Sequence, residues 1–256
     1  MPNNTITIPE EIITAIVRCL EDSVGDDILT DIQKNGLITM NSIPSRIWDI
    51  LNTNLISALN VKNCSLVTTK RGPWEMLIIY EKTSQCIITF MREKRFAEIK
   101  KKTAKRKHMH YLDAFAKNFN WDLISKQQNF GFTPHEFVDE SKLDELVQEL
   151  LQDLQEDVSV VRHHVLVLFD TAGYQLTHVR AVMVTPSLEI AQGCEQDWSK
   201  YLSINESVVV EKVSNPAAPE NQPTQGLTLK AKALARQKVV TQLKDRDAIR
   251  SSQNSK

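Results

Sequence analysis

"SLVTTKRGPWEMLIIYEKTSQCIITFMR", Ser65 to Arg92, decides the fold. It holds three short runs rich in apolar and β-branched residues, which read as strands over Ser65–Lys70, Trp74–Lys82 and Gln85–Arg92. The links "KRGPW" and "KTSQ" are far too short for a parallel crossover, so the runs form an antiparallel meander. In the second run Leu77 and Ile79 share one face, and Met76, Ile78 and Tyr80 share the other. Both faces are apolar, so helices are expected on both.

Residues 9–24, Asp26–Lys34 and Pro44–Leu59 show helical spacing ahead of the meander. After it, a basic helix should start near Arg92, followed by an aromatic segment to about Asp122. Residues 141–155 carry Leu143, Leu146, Val147, Leu150, Leu151 and Leu154 at i, i+3, i+4, i+7 spacing. Ser159–Phe169 and Leu176–Thr185 read as a long β-hairpin closed by "DTAGYQ", and a short segment around Gln196–Leu202 ends the body. Trp198 and Tyr201 are expected to cap the hairpin sheet, and Trp48 and Trp74 to serve as packing residues in the same way. The expected fold is α/β of the α+β type: a mainly antiparallel sheet of about five strands, meander plus hairpin, packed by helices. Residues 1–210 form one domain in this reading. Residues 211–256 hold the Pro-rich linker "SNPAAPENQPTQG", Ser214–Gly226, and a basic, flexible tail.

The chain of 256 residues has a net charge of −1, so overall charge implies no polyanionic partner. The sign is unevenly spread. From Glu211 onward nine basic residues face four acidic ones, so the tail carries +5 and the rest −6. Cys19, Cys64, Cys86 and Cys194 show no Cys-x-x-Cys spacing, which argues against a zinc ribbon or redox dithiol and for buried free thiols. The first residues lack the pattern of a signal peptide, and no run reaches the roughly 18 apolar residues that span a bilayer. A cytoplasmic protein with no membrane partner is expected.

Three stretches invite chemistry. "FDTAGYQ", Phe169–Gln175, resembles the Asp-x-x-Gly switch of GTPases, but no phosphate-cradling G-x-x-x-x-G-K-[ST] loop accompanies it, so a hairpin turn is expected. Residues 44–110 resemble a PD-(D/E)xK nuclease core, in which a helix precedes a meander, and an acid on the second strand with Glu-x-Lys on the third holds a divalent metal. That resemblance implies Glu75, Glu93 and Arg95 as catalytic positions. Arg stands where the family has Lys, and it is a poor base. The third stretch is the basic run. Lys94, Lys100, Lys101, Lys102, Lys105, Arg106 and Lys107 are dense enough to neutralise several phosphates, with Arg92 and Arg95 beside them and only Glu93 and Glu98 opposing. Its competitor is internal pairing, because residues 136–157 form a strongly acidic segment that includes Asp144 and Glu149. Histidines give little sign of metal ligation. His108 and His110 diverge by about 200° on a helix, and His163 and His164 point to opposite faces of a strand.

"IPSRIWDILNTNL", "IITFMREKRF" and "HHVLVLFDTAGYQLTHVRAVMV" with "EQDWSKYL" resemble an uncharacterised family of bacterial proteins, a domain of unknown function, over most of residues 10–202. The resemblance implies no activity and no catalytic residues. It implies a bacterial or mobile-element cytoplasmic protein, and a stress, phage-defence or toxin–antitoxin setting is expected by association alone. The expected function is a non-enzymatic binding or regulatory module without a cofactor, engaging nucleic acid through residues 92–107 or else a protein partner. The alternative is a metal-dependent nuclease or its inactive relative, which would take a divalent metal.

Overall fold

The computed structural model describes residues 5–36, 38–71, 74–102, 109–123 and 140–203, all within the unit Met1–Asn205. Helix α1 spans Glu10–Val24 and buries Ile12, Ile13, Ile16, Val17 and Leu20 along one stripe, as the spacing requires. Helix α2, Asp26–Asn35, ends at Gly36 in the left-handed region (φ 56°), where the Gly36 N–H donates to the Gln33 carbonyl. Helix α3, Ile43–Leu59, has Pro44 in its first turn and buries Ile47, Leu51, Leu55 and Leu59.

The meander follows as β1 (Cys64–Arg71), β2 (Trp74–Glu81) and β3 (Cys86–Arg92). Helix α4, Glu93–Lys102, starts as β3 ends. Helices α5 (Tyr111–Phe119) and α6 (Glu140–Leu150) come next, then β4 (His163–Ala172), β5 (Gln175–Val184) and β6 (Ile190–Asp197). Strand order in space equals order in the chain, β1-β2-β3-β4-β5-β6. Every neighbouring pair is antiparallel except β3–β4, which is parallel, with Ile88 opposite Val165.

The sheet therefore has six strands rather than about five. The strand missing from the sequence reading is β6, "IAQGCEQD". It is an edge strand that buries only Ala191 and Cys194, so its apolar signal is thin. The hairpin strands also shift. Val158–Val160 is a 3₁₀ turn rather than the start of β4, and α6 stops at Leu150. Gly173, with φ 64°, makes the β4–β5 turn that "DTAGYQ" suggested.

Two cores flank the sheet. Alternate positions Leu77 and Ile79 of β2, Val165 and Val167 of β4, and Val179 and Ala181 of β5 pack under α1–α3. The intervening positions Ile78 and Tyr80, Leu166 and Leu168, and Val182 and Val184 pack under α4–α6. The expectation of helices on both faces holds. Trp198 is fully buried in the first core, with its Nε1 donating to Gln196 Oε1 at 2.8 Å.

One buried side chain stitches the second layer to the sheet. Asn120, at the end of α5, donates through Nδ2 to the carbonyls of His164 (2.9 Å) and Val184 (3.0 Å), and its Oδ1 accepts from the His164 N–H (2.9 Å). The regular β4–β5 ladder ends at Leu166 opposite Val182. The next rung would join His164 to Val184, and the Asn120 amide stands in for it. The adjoining His164 ring is fully buried, its Nε2 bonded to the Thr89 hydroxyl at 2.8 Å, while its Nδ1 has no partner. Burial holds its pKa down at about 3, so the ring is neutral.

Candidate nucleic-acid interface

The site is built on α4. At about 100° per residue, Phe96 and Ile99 define an inward direction that lies roughly opposite Lys94 and Lys101. Both apolar side chains are buried, and both lysines are exposed. Lys102 and Arg95 form a second row beside the first, also exposed. The helix is held down at both ends by ion pairs on its flanks. At the start, Glu93 receives a two-pronged bond from Arg180 Nε (2.5 Å) and Nη2 (2.9 Å), and Arg180 Nη1 also reaches Glu195 at 2.6 Å. The Glu93 hydrogen bonds lift the Arg180 pKa above its already high ordinary value, against the opposing effect of burial. Near the end, Lys100 pairs with Glu189 in the β5–β6 turn.

Lys94, Lys101 and Lys102 make no ion pair with any described residue, and Arg95 pairs only with Glu98 on its own helix, at 3.1 Å. The outer face thus presents Lys94, Arg95, Lys101 and Lys102 against one carboxylate. The described part of the acidic segment makes no ion pair with it. Helix α6 packs against α5 and β1, and its Asp144, Glu145 and Glu149 are exposed without pairing to α4. Lys105, Arg106 and Lys107, expected to extend the basic run, lie outside the described residues, as does the tail from 211.

The three positions implied by the nuclease resemblance are not brought together. Glu75 shares strand parity with Leu77 and Ile79, so it lies on the α1–α3 side, where it pairs with Lys70 across the β1–β2 ladder at 3.7 Å. Glu93 is clamped by Arg180, which shares parity with Val182 and Val184 on the α4–α6 side. The sheet itself stands between the two carboxylates. The β2–β3 ladder is also hydrogen-bonded only over Ile79–Glu81 with Cys86–Ile88, well short of Glu75. Arg95 turns to Glu98. Among the described residues no group of three or more His, Cys, Asp or Glu side chains could hold a metal ion.

Trp74 is the residue that the sequence reading misplaced. It opens β2 at the tip of the first hairpin and is 62 % exposed, not packed on the sheet. The signal was its position directly after "GP", at the first residue of a strand, where an outward side chain has nothing above it. His110 also has a role that spacing did not suggest. It caps α5, its Nδ1 accepting from the Leu112 N–H at 3.2 Å while Asp113 accepts from the His110 N–H.

No helix among the described residues is long and apolar enough to cross a membrane. The model of a family of unknown function matches residues 5–247. No curated protein and no solved structure matches the chain.

Proposed function

We propose, for a chain that belongs to the family of unknown function DUF5986, a role as a non-enzymatic module that binds nucleic acid through the outer face of α4. The observation that carries this reading is the placement of Lys94 and Lys101 directly opposite the buried Phe96 and Ile99, unpaired among the described residues. Two lysines one above the other, with Lys102 and Arg95 alongside, form a cationic stripe that a phosphate backbone can follow without regard to base sequence. The split of Glu75 and Glu93 across the two faces of the sheet favours binding over metal-dependent cleavage.

The test is the double variant Lys94→Glu with Lys101→Glu in the full chain, read by anisotropy of a labelled oligonucleotide across a salt series. Both side chains are exposed, so the melting midpoint should stay where it is. Binding at low salt should fall sharply, and each lost phosphate contact should flatten the slope of log affinity against log salt by about 0.7 to 0.9. Absence of binding by the wild-type chain at low salt refutes the reading. Cleavage with magnesium or manganese that disappears in both Glu75→Ala and Glu93→Ala would replace it with the nuclease.

A further inference from the structure

The two ion pairs that tie α4 down lie on one flank of it. Glu93 and Lys100 are seven residues apart, so they share a direction on the helix to within about 20°. Glu93 meets Arg180 within β5, and Lys100 meets Glu189 in the turn that follows β5, so α4 turns this flank toward β5 and the β5–β6 turn. Arg95 and Lys102 lie about 160° away on the other flank, and Lys94 and Lys101 lie between the flanks, opposite Phe96 and Ile99. The two pairs differ in their surroundings. The side chains of Glu93 and Arg180 are 22 % and 21 % exposed and share two hydrogen bonds, which makes a clamp. Those of Lys100 and Glu189 are 40 % and 58 % exposed and share one, so this pair is open to exchange with an ion from solution.

The backbone of Glu189 is fixed. Its carbonyl accepts from the Thr185 N–H at 2.8 Å, and its N–H donates to Thr185 Oγ1 at 3.3 Å. Leu188, next to it, is fully buried in the core that holds Phe96 and Ile99. It keeps a left-handed backbone (φ 59°), which an L side chain adopts only where its surroundings compel it. The Glu189 carboxylate is thus presented to Lys100 by an anchored turn rather than by a free loop.

Resting on the function proposed above, we infer that Glu189 is a built-in competitor for the nucleic acid: it occupies Lys100 and confines the phosphate track to Lys94, Lys101 and Lys102, on the crest of α4 and the flank away from β5. A carboxylate and a phosphate oxygen seek the same ammonium group. A phosphate that displaced Glu189 would sit beside the carboxylate it had displaced, so like-charge repulsion opposes what the new contact gains. Lys100 therefore adds nothing to binding while Glu189 stands.

The experiment measures affinity of the full chain for a labelled DNA duplex and a labelled oligothymidylate across a salt series. Glu189→Gln keeps the shape of the side chain and removes its charge. The released Lys100 should steepen the slope of log affinity against log salt by about 0.9 on the duplex or about 0.7 on the single strand. Counted down from about 1 M salt, where this contribution vanishes, that is tighter binding by about five- to eight-fold at about 0.1 M. Lys100→Gln combined with Glu189→Gln should return both affinity and slope to wild-type values. Glu145→Gln, at an exposed acid of α6, should change neither. All melting midpoints should stay where they are, because exposed charges contribute little to folding. Unchanged or weaker affinity in Glu189→Gln, or the same gain in Glu145→Gln, overturns the competitor and leaves the binding function standing. So does a double variant whose slope falls below that of the wild type, because Lys100 would then already hold a phosphate in the unaltered chain. Failure of the wild type to bind either ligand overturns both.

Discussion

Replacing Asn120 with Ala should be among the most damaging single changes outside the large apolar side chains. Its amide satisfies three buried backbone groups: the N–H and C=O of His164 and the C=O of Val184. Asn120 itself is fully buried. Each net hydrogen bond contributes about 1 kcal/mol, and each buried backbone group left without a partner costs about 1–3 kcal/mol. Water entering the vacated space would recover part of this, which puts the loss at about 3–5 kcal/mol. Asn120→Asp sharpens the test. The ionised carboxylate keeps the acceptor for the His164 N–H but sets an oxygen against two carbonyls, so it should be as damaging at neutral pH and recover as acid protonates it. Urea unfolding followed by far-ultraviolet circular dichroism, with an unchanged slope against denaturant, gives the difference directly. A loss below about 1 kcal/mol for Asn120→Ala would show that the amide is not the rung that joins β4 to β5.

The buried His164 predicts a pH dependence. Its folded pKa is depressed from 6.5 to about 3, so only the unfolded chain takes up the proton in between. This contribution to stability is complete above about pH 6.5 and is lost as pH falls toward 3, at up to about 1.4 kcal/mol per pH unit. His164→Leu should lower stability at neutral pH, because the Thr89 hydroxyl loses its partner, yet flatten the acid limb of the stability profile; an unaltered acid limb refutes the assignment. The thiols of Cys19 and Cys64 are both pushed up to about 11, by burial first and by neighbouring carboxylates second. They should react with an aromatic disulfide reagent far more slowly than a free thiol near pH 8 and react fully on unfolding; free-thiol rates in the native chain would contradict the packing. Gly173→Ala places a side chain at φ 64° with nothing within 4 Å, so it should cost about 1 kcal/mol through backbone strain alone, and a neutral result would mean the turn adopts another conformation.

The meander was readable because β2 and β3 are apolar on both faces, and because their turns are too short for anything but an antiparallel link. The parallel joint between β3 and β4 was not, since no local pattern records which strand lies beside another across residues 93–162. Strand β6 escaped because an edge strand needs few apolar residues. Asn120 was invisible for a different reason: its role is to imitate the backbone, and side-chain patterns carry no trace of that. At the site, burial of Phe96 and Ile99 followed from spacing, and so did the outward lysines. The partner of Glu93 did not follow, because Arg180 reaches it from a strand more than eighty positions away in the chain.

The agreement between strand order and chain order has a kinetic consequence. β1–β2–β3 and β4–β5–β6 can each zip through short turns. Joining them requires closing the whole of residues 93–162, an entropic cost about 2–3 kcal/mol above that of a tight turn. The barrier to folding is therefore expected to lie at the alignment of β3 with β4, after the two halves have formed locally. Ile88 and Val165 face each other across that joint. Ile88→Val and Val165→Ala should slow folding by most of the stability they remove, whereas Ala191→Gly at the far edge should act on unfolding. Folding rates untouched by the first two would move the barrier elsewhere.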